Sequence, residues 1–470
     1  MTASDITTVR TAGREPALAV TSLVLLAICG AVLVALGFIA RHAQWTDDFG
    51  LFNPVVYAQG LVYAVSAFIL LRDGFAGRDL RLALIVIFVV ALALRLIALA
   101  TPPNFLSTDL YRYIWDGRVQ SAGINPYLHV PADPVLAPLR DEAVYPHINR
   151  LDRAPTIYPP FAQLVFFAVN RLGDGVTAMR LAMLAFEAVT VAVLALLLRR
   201  LGQPLDRIAL YLWNPLPVWE TACGAHIDTV LTTLVLLALL ASMVGRRGVS
   251  GFLIAAATLT KFFPLVIAPA LYRRFDWKMP AAFLALTVLL YGYYILHGDG
   301  GLHVLGFLPG YVSEEGFQAG DGVFILALLR AIGLPPLAAT FAYVALAFGL
   351  MGSLAWRALA ANADARVAPA AALNLATAAI ALISPHYPWY FLWIAAFIPL
   401  VPRFSLIYLT SSVFFLYVTD SPTSLAAGFV IYGPFLALLL IELWRQGLVL
   451  PKDLTLPKSL PLPKQQGSIS

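Results

Sequence analysis

The sequence predicts an all-α polytopic membrane protein of about 12–14 transmembrane helices, with interfacial helices in its first large external loop. Three observations predict it. Only 12% of the 470 residues are charged, about half the share usual in a soluble protein of this size. Apolar runs of roughly 18 residues or more recur along the chain, each long enough to cross a bilayer as a helix. Lysine and arginine gather at alternate ends of these runs and so orient them, because cytoplasmic loops carry the positive excess.

The elements follow in order. Residues 1–80 should hold two N-terminal transmembrane helices. Arg10 and Arg14 precede the first, residues 17–40, and lie inside. That run is too long for the apolar part of a signal peptide and lacks a small-residue cleavage site, so it reads as a retained helix. The link through Asp47 and Asp48 is external, and Arg72, Arg78 and Arg81 bring the second helix, 54–72, back inside. Helix 82–100 then opens a core of residues 81–445 and delivers the polar loop 101–157 to the outside.

Residues 158–170 are apolar but too short to span comfortably. A crossing there would put Arg199, Arg200 and Arg207 outside, so the segment reads as an interfacial helix started by Pro159 and Pro160. Spans are expected at 176–198, 207–225 and 227–244. The run 250–272 is interrupted by Lys261 and Pro264 and is expected as two half-helices with Lys261 near the outer turn. Broken helices are tolerated at membrane depth only where they line a cavity or pack inside protein. Helix 279–297 leads to a second external loop, 298–321, which contains Asp299, Glu314, Glu315 and Asp321 but no lysine or arginine. An interfacial stretch at 322–334 and helices at 336–357, 368–384, 388–402, 404–418 and 424–445 complete the core. The tail, 446–470, is expected to be an irregular cytoplasmic segment, so both termini lie on the cytoplasmic side of the cell's inner membrane and the active site on its external, periplasmic side.

The formal net charge of +5 is no argument for nucleic acid, since topology already accounts for the basic residues. Cys29 and Cys223 both lie in apolar runs and give neither a disulfide framework nor a metal spacing. No internal repeat is evident, which weighs against an inverted-repeat transporter.

Ionisable groups near membrane depth carry most of the functional signal. In "STDLYRYIWDG", Asp109, Arg112, Tyr113 and Asp116 recur at helical spacing and would share one stripe. The two acids would stand about 10 Å apart along that helix. This suits one reactive acid and one paired with Arg112 or Arg118, although an interfacial helix with water-facing charges would look similar. "NPLPVWETACGAHIDTV" puts Glu220, His226 and Asp228 at one outer edge. Hydrogen bonding to a polar substrate is the leading reading there, and a metal pair the lesser one, because two ligands in H-x-D are a weak signal. Lys261 in "LTKFFP" is either a snorkelling lysine or an ammonium that holds phosphate. His386 and Tyr387 in "SPHYPWYFLW" open another helix at the external face, where an aromatic belt explains the rings more readily than the histidine. Arg95 and Glu187 fall within spans and are read as a structural pair.

The stretches "YIWDGRVQSAGINPY", "PTIYPPFAQL", "LYLWNPLPVWETACGAHIDTVL", "LTKFFPLVIAPAL" and "SPHYPWYFLWIAAFIPL" occur in this order. Together they resemble the GT-C superfamily of membrane glycosyltransferases, over about residues 80–400. The resemblance is nearest to bacterial polyprenyl-phosphate-sugar-dependent mannosyltransferases. It implies a GT-C-like core and a catalytic acid in the first external loop that maps onto Asp109; Tyr158, in the second of these stretches, is a further candidate for substrate binding. The chain differs in its two preceding helices and in Thr108, which stands at the second position of the common acid pair.

The chemistry is consistent with that inventory. A lipid-phosphate leaving group is already acidic and needs no general acid, unlike the alkoxide that a glycosidase expels. One base and fixed positive charge near the phosphate suffice. The expected roles are therefore Asp109 as base, Lys261 with Arg112 or Arg118 on the phosphate, and His226, Asp228 and His386 on sugar hydroxyls. The partners are a polyprenyl-phosphate-linked sugar donor (mannose by the resemblance), a glycan or lipid acceptor, and membrane lipids. No cofactor is required by the sequence. The alternatives from other classes are a lipid or sugar transporter using the same polar cavity, and a non-catalytic envelope scaffold. A transporter would carry its acids deep in the spans rather than in a long loop.

Overall fold

A computed structural model describes residues 16–297, 301–314, 322–418 and 424–445. The expected basic start at Arg10 and Arg14, the tail 446–470 and part of loop 298–321 lie outside the described residues. Among those described there is no strand. The longer helices are α1 (Pro16–Trp45), α2 (Phe49–Asp73), α3 (Gly77–Leu99), α4 (Asp109–Ser121), α5 (Pro160–Leu172), α6 (Val176–Arg200), α7 (Asp228–Met243), α8 (Arg247–Thr258), α9 (Lys278–Leu296), α10 (Pro336–Ala360), α11 (Ala368–Ile383), α12 (Phe404–Ser412) and α13 (Leu425–Arg445). The protein is an all-helical polytopic membrane protein.

Among the described residues, seven helices are long and apolar enough to cross a membrane, namely α1, α2, α3, α6, α9, α10 and α13, or eight if one bent pair counts as a span. The remaining apolar runs that suggested 12–14 spans are shorter or broken. Residues 207–225 are not one helix. They form short turns of helix, with a π-helical segment at Val218–Cys223 that bends 120° into α7. Pro215 and Pro217 remove backbone donors there, and Asn214 starts the new turn by accepting from Leu216 N at 3.0 Å. Likewise 388–402 is a 3₁₀ turn, Pro388–Phe391, and one short helical turn, Leu392–Ala395, rather than a span. Residues 250–272 do divide as expected, into α8 and a short second half, with Lys261 at the break.

Broken backbone survives at membrane depth only if protein satisfies its polar groups. The side chains that do so here can be named. Tyr63 OH donates to Leu210 O at 2.7 Å, and Trp213 Nε1, from within the broken segment, anchors it to α3 by donating to Ile87 O at 3.0 Å. Arg180 donates to Ala98 O, Thr101 O and Ala222 O at 2.7–3.0 Å, which ties the end of α3 to the π-helical turn. Arg95 and Glu187 form a buried pair at 2.7 Å, and Arg95 also donates to Leu212 O. The core runs continuously from these elements through fully buried Trp213, Trp219, Trp393 and Phe397. By contrast α10 exposes Phe348 and Trp356, as a lipid-facing helix does.

Two pairings position the site. Helix α4 packs on α5 so closely that a side chain at Gly117 would stand 2.6 Å from Phe166 O. Only glycine permits that approach. The polar stripe of α4 then pins the following loop. Arg112 Nη1 donates to Ala154 O at 2.9 Å, and Gln163 Nε2 donates to Thr156 Oγ1 and Asp116 Oδ2 at 2.7 and 2.9 Å.

Candidate active site

Asp109 begins α4, where the helix dipole favours its ionised form. Its carboxylate accepts from Asn149 Nδ2 at 2.9 Å and from Tyr158 OH at 3.4 Å. The carboxyl lies deep in the protein, yet part of its surface stays open to a cavity of ≈ 290 Å³. Burial raises its pKa above the ordinary value, against the lowering influence of Lys261, Asn149, Arg150 and Tyr158. Tyr158 is held well above its ordinary value by burial and by the charge of Asp109, so it remains a neutral donor.

Ser107, Asn149, Arg150, Lys261, Tyr311, His386 and Tyr387 line the same cavity, with Trp389, Tyr390 and Tyr417. Lys261 reaches it from the break after α8, which ends at Thr258, shortly before Pro264. Its ammonium donates to Asp228 Oδ2 at 2.6 Å and sits 4.3 Å from the centre of the Tyr390 ring, a cation–π contact. His386 follows Ser384, which ends α11 in a left-handed conformation, φ 51°. His386 Nε2 lies 3.1 Å from Gly322 O.

An apolar groove of ≈ 380 Å³ adjoins this cavity. It is walled by Phe262, Phe263, Leu308, Ile380 and Ile383, and it shares Tyr158, Lys261, Tyr311, His386, Tyr387 and Tyr390 with the polar chamber. Lys261 therefore stands at the junction. The segment 301–314 contributes Leu308 and Tyr311 to these walls and is held by Arg150 Nε to Glu314 Oε2 at 2.6 Å, Tyr311 OH to Tyr390 OH at 2.9 Å and Phe307 N to Thr156 O at 3.0 Å.

Five of the expected positions, Asp109, Tyr158, Lys261, His386 and Tyr387, meet in this cavity. The others lie behind its walls. Arg112 pairs with Asp116 at 2.9 Å, and Arg118 pairs with Asp141 and Asp174 at 2.7 and 2.9 Å. Neither arginine lines the cavity; the arginine that does is Arg150. Tyr113 stacks on Phe166 at 4.7 Å beneath Tyr158. Asp228 is fully buried as the partner of Lys261, and Glu220 accepts from Tyr417 OH at 3.0 and 3.1 Å. His226 is fully buried, its Nε2 3.3 Å from Glu220 Oε2 and its ring flat on Trp389 at 4.0 Å. Among the described residues no group of three or more His, Cys, Asp or Glu is placed to hold a metal.

Sequence reasoning missed Asn149, Arg150, Tyr311 and Tyr417. Asn149 and Arg150 offered one signal, polar residues eight or nine positions before Tyr158 in the loop. Arg150 adopts φ 52°, a left-handed conformation uncommon for arginine that sequence gives no means to foresee. Tyr417 stands in an apolar run and gave no signal.

The family model described as "Alpha-(1->6)-mannopyranosyltransferase, N-terminal domain" matches residues 38–273. That stretch carries Asp109, Asn149, Arg150, Tyr158, Asp228 and Lys261. No curated protein and no solved structure matches the chain.

Proposed function

The chain belongs to the alpha-(1->6)-mannopyranosyltransferase family and is a membrane mannosyltransferase; from that premise we propose that its donor is a mannose carried on a polyprenyl phosphate. The observation that carries this reading is Lys261 at the junction of the polar cavity and the apolar groove. A polyprenyl-phosphate sugar has the same order of parts, with an anion between a hydrophilic ring and a hydrocarbon chain. Hydrocarbon in the groove places phosphate at the ammonium and sugar in the chamber, near Asp109.

The step then balances. Asp109 takes the proton of an acceptor hydroxyl, the acceptor oxygen bonds to the anomeric carbon, and the bond from that carbon to the phosphate oxygen breaks. The leaving polyprenyl phosphate keeps the electron pair, and configuration at the anomeric carbon inverts. Positive charge from Lys261 and Arg150 stabilises the departing phosphate, an electrostatic contribution that grows in a partly dry site. His386 is the one of the three expected hydroxyl ligands that lines the chamber. The acceptor is a glycan or glycolipid, and the site opens on the external face of the cell's inner membrane, with the basic ends of α6 and α8 on the cytoplasmic side.

The test is purified protein in lipid nanodiscs with polyprenyl-phosphate mannose and a mannoside acceptor. Mass spectrometry should find an acceptor heavier by one hexose, and NMR an inverted anomeric centre. Transfer from a nucleotide sugar and none from polyprenyl-phosphate mannose, or product with retained configuration, overturns the proposal.

A further inference from the structure

Three aromatic rings form a column beside the cavity. Tyr387 stacks on Trp389 at 4.7 Å and 14°, and Trp389 stacks on His226 at 4.0 Å and 13°. The tryptophan is thus stacked against both other rings. At its foot, His226 is fully buried and neither ring nitrogen makes a hydrogen bond, its Nε2 standing 3.3 Å from Glu220 Oε2. Burying unbonded polar atoms is costly, so stacking rather than hydrogen bonding accounts for where this ring lies. Its seat depends on Gly224, where a side chain would come within 2.8 Å of the imidazole. Glu220 also accepts from Tyr417, a second ring on the cavity wall.

At the top, Tyr387 faces both the polar chamber and the apolar groove, as Lys261 does. In the donor pose proposed above, a sugar linked to phosphate at Lys261 would lie in the chamber that Tyr387 lines. A pyranose presents C–H bonds on one face, and those bonds pack against the negative face of an aromatic ring.

Resting on the transferase reading above, we infer that Tyr387 is the platform on which the donor's sugar ring stacks, and that Trp389, His226 and Glu220 are positioning residues holding that platform from behind. Such a contact is made equally in the ground and transition states, so it governs KM more than kcat.

The experiment measures steady-state kinetics of the nanodisc enzyme with polyprenyl-phosphate mannose, varying donor and acceptor separately. Tyr387→Leu should raise donor KM roughly tenfold with little change in kcat, and Tyr387→Phe should restore most of that loss. His226→Ala, which removes a ring that does not line the cavity, should raise donor KM in the same direction, and His226→Phe should recover it. Thermal unfolding of each variant checks that it is folded. Unchanged donor KM in Tyr387→Leu, or a rise confined to acceptor KM, overturns the platform; unchanged donor KM in folded His226→Ala overturns the column. Wild-type protein that transfers nothing from this donor fails the transferase reading itself, a result distinct from either.

Discussion

Lys261 donates to Asp228 across 2.6 Å, the carboxylate fully buried and the ammonium part-exposed at the joint between a polar chamber and an apolar groove. The pair explains how a lysine is tolerated inside a membrane protein before any ligand arrives, since an intramembrane charge is costly unless partnered. It also fixes where the ammonium points. Asp228 does not line the cavity and meets it only through Lys261.

Removing the two partners should have unequal effects. Lys261→Met strands a buried carboxylate, which should destabilise the protein by about 3 kcal/mol and abolish tight donor binding. Asp228→Asn leaves an ammonium that still reaches the chamber, so it should unfold less readily than Lys261→Met while raising donor KM through loss of orientation. Thermal unfolding and donor titration of both variants decide it. Equal stability of the two would mean that the pair is not what holds this turn.

Asp109 offers the most direct kinetic test. Asp109→Asn preserves shape and still accepts from Tyr158, but it cannot take a proton. Transfer should fall by about 10²- to 10⁴-fold, the range for loss of a general base, with unfolding temperature unchanged or raised. Single-turnover measurement on purified variant, with donor binding followed separately, checks that binding survives while chemistry is lost. Wild-type rates in the variant would remove Asp109 from the mechanism.

The acid side of the pH profile carries a sign that can be worked out. Burial raises the pKa of Asp109, so its proton is held to higher pH than in an ordinary carboxyl. The base form, and with it kcat/KM, is lost as pH falls through that raised value. Asn149 donates to the carboxylate and pulls the value down. Asn149→Ala should therefore move the acid limb of log kcat/KM toward higher pH. A limb that stays put or moves to lower pH contradicts this account of Asp109.

Sequence alone carried the class of fold and singled out Asp109, which lines the cavity, and the reasons are physical. Apolar runs and arginine placement declare membrane helices because bilayer thickness and charge asymmetry are strong constraints. They overcounted continuous spans wherever proline and asparagine broke a run that other side chains then satisfied, as Tyr63, Arg95 and Arg180 do for the segment before α7. Lys261 was legible because a lone cation in an apolar run is conspicuous. Arg150 was not, since choosing among the loop's arginines requires knowing that Arg112 pairs with Asp116 and Arg118 with Asp141 and Asp174. Helical spacing announced that Arg112 and Asp116 share a stripe, but it could not say whether the stripe faces substrate or the neighbouring loop.

The pair between α3 and α6 tests whether the core's charges serve structure alone. Arg95 and Glu187 meet at 2.7 Å with little exposure, outside the cavity lining. Arg95→Met leaves Glu187 buried without its counter-charge and should cost about 3–5 kcal/mol. The double variant Arg95→Met with Glu187→Leu removes both charges and should recover most of that loss, because an ion pair replaced by apolar groups of similar volume is often neutral. A residual cost of about 1 kcal/mol is expected from Leu212 O, which loses the guanidinium as donor. Denaturation of wild type, both single variants and the double variant in one detergent completes the cycle. Donor and acceptor KM of the folded double variant should match wild type. A double variant as unstable as Arg95→Met, or one that is stable but inactive, would show that these charges do more than satisfy each other.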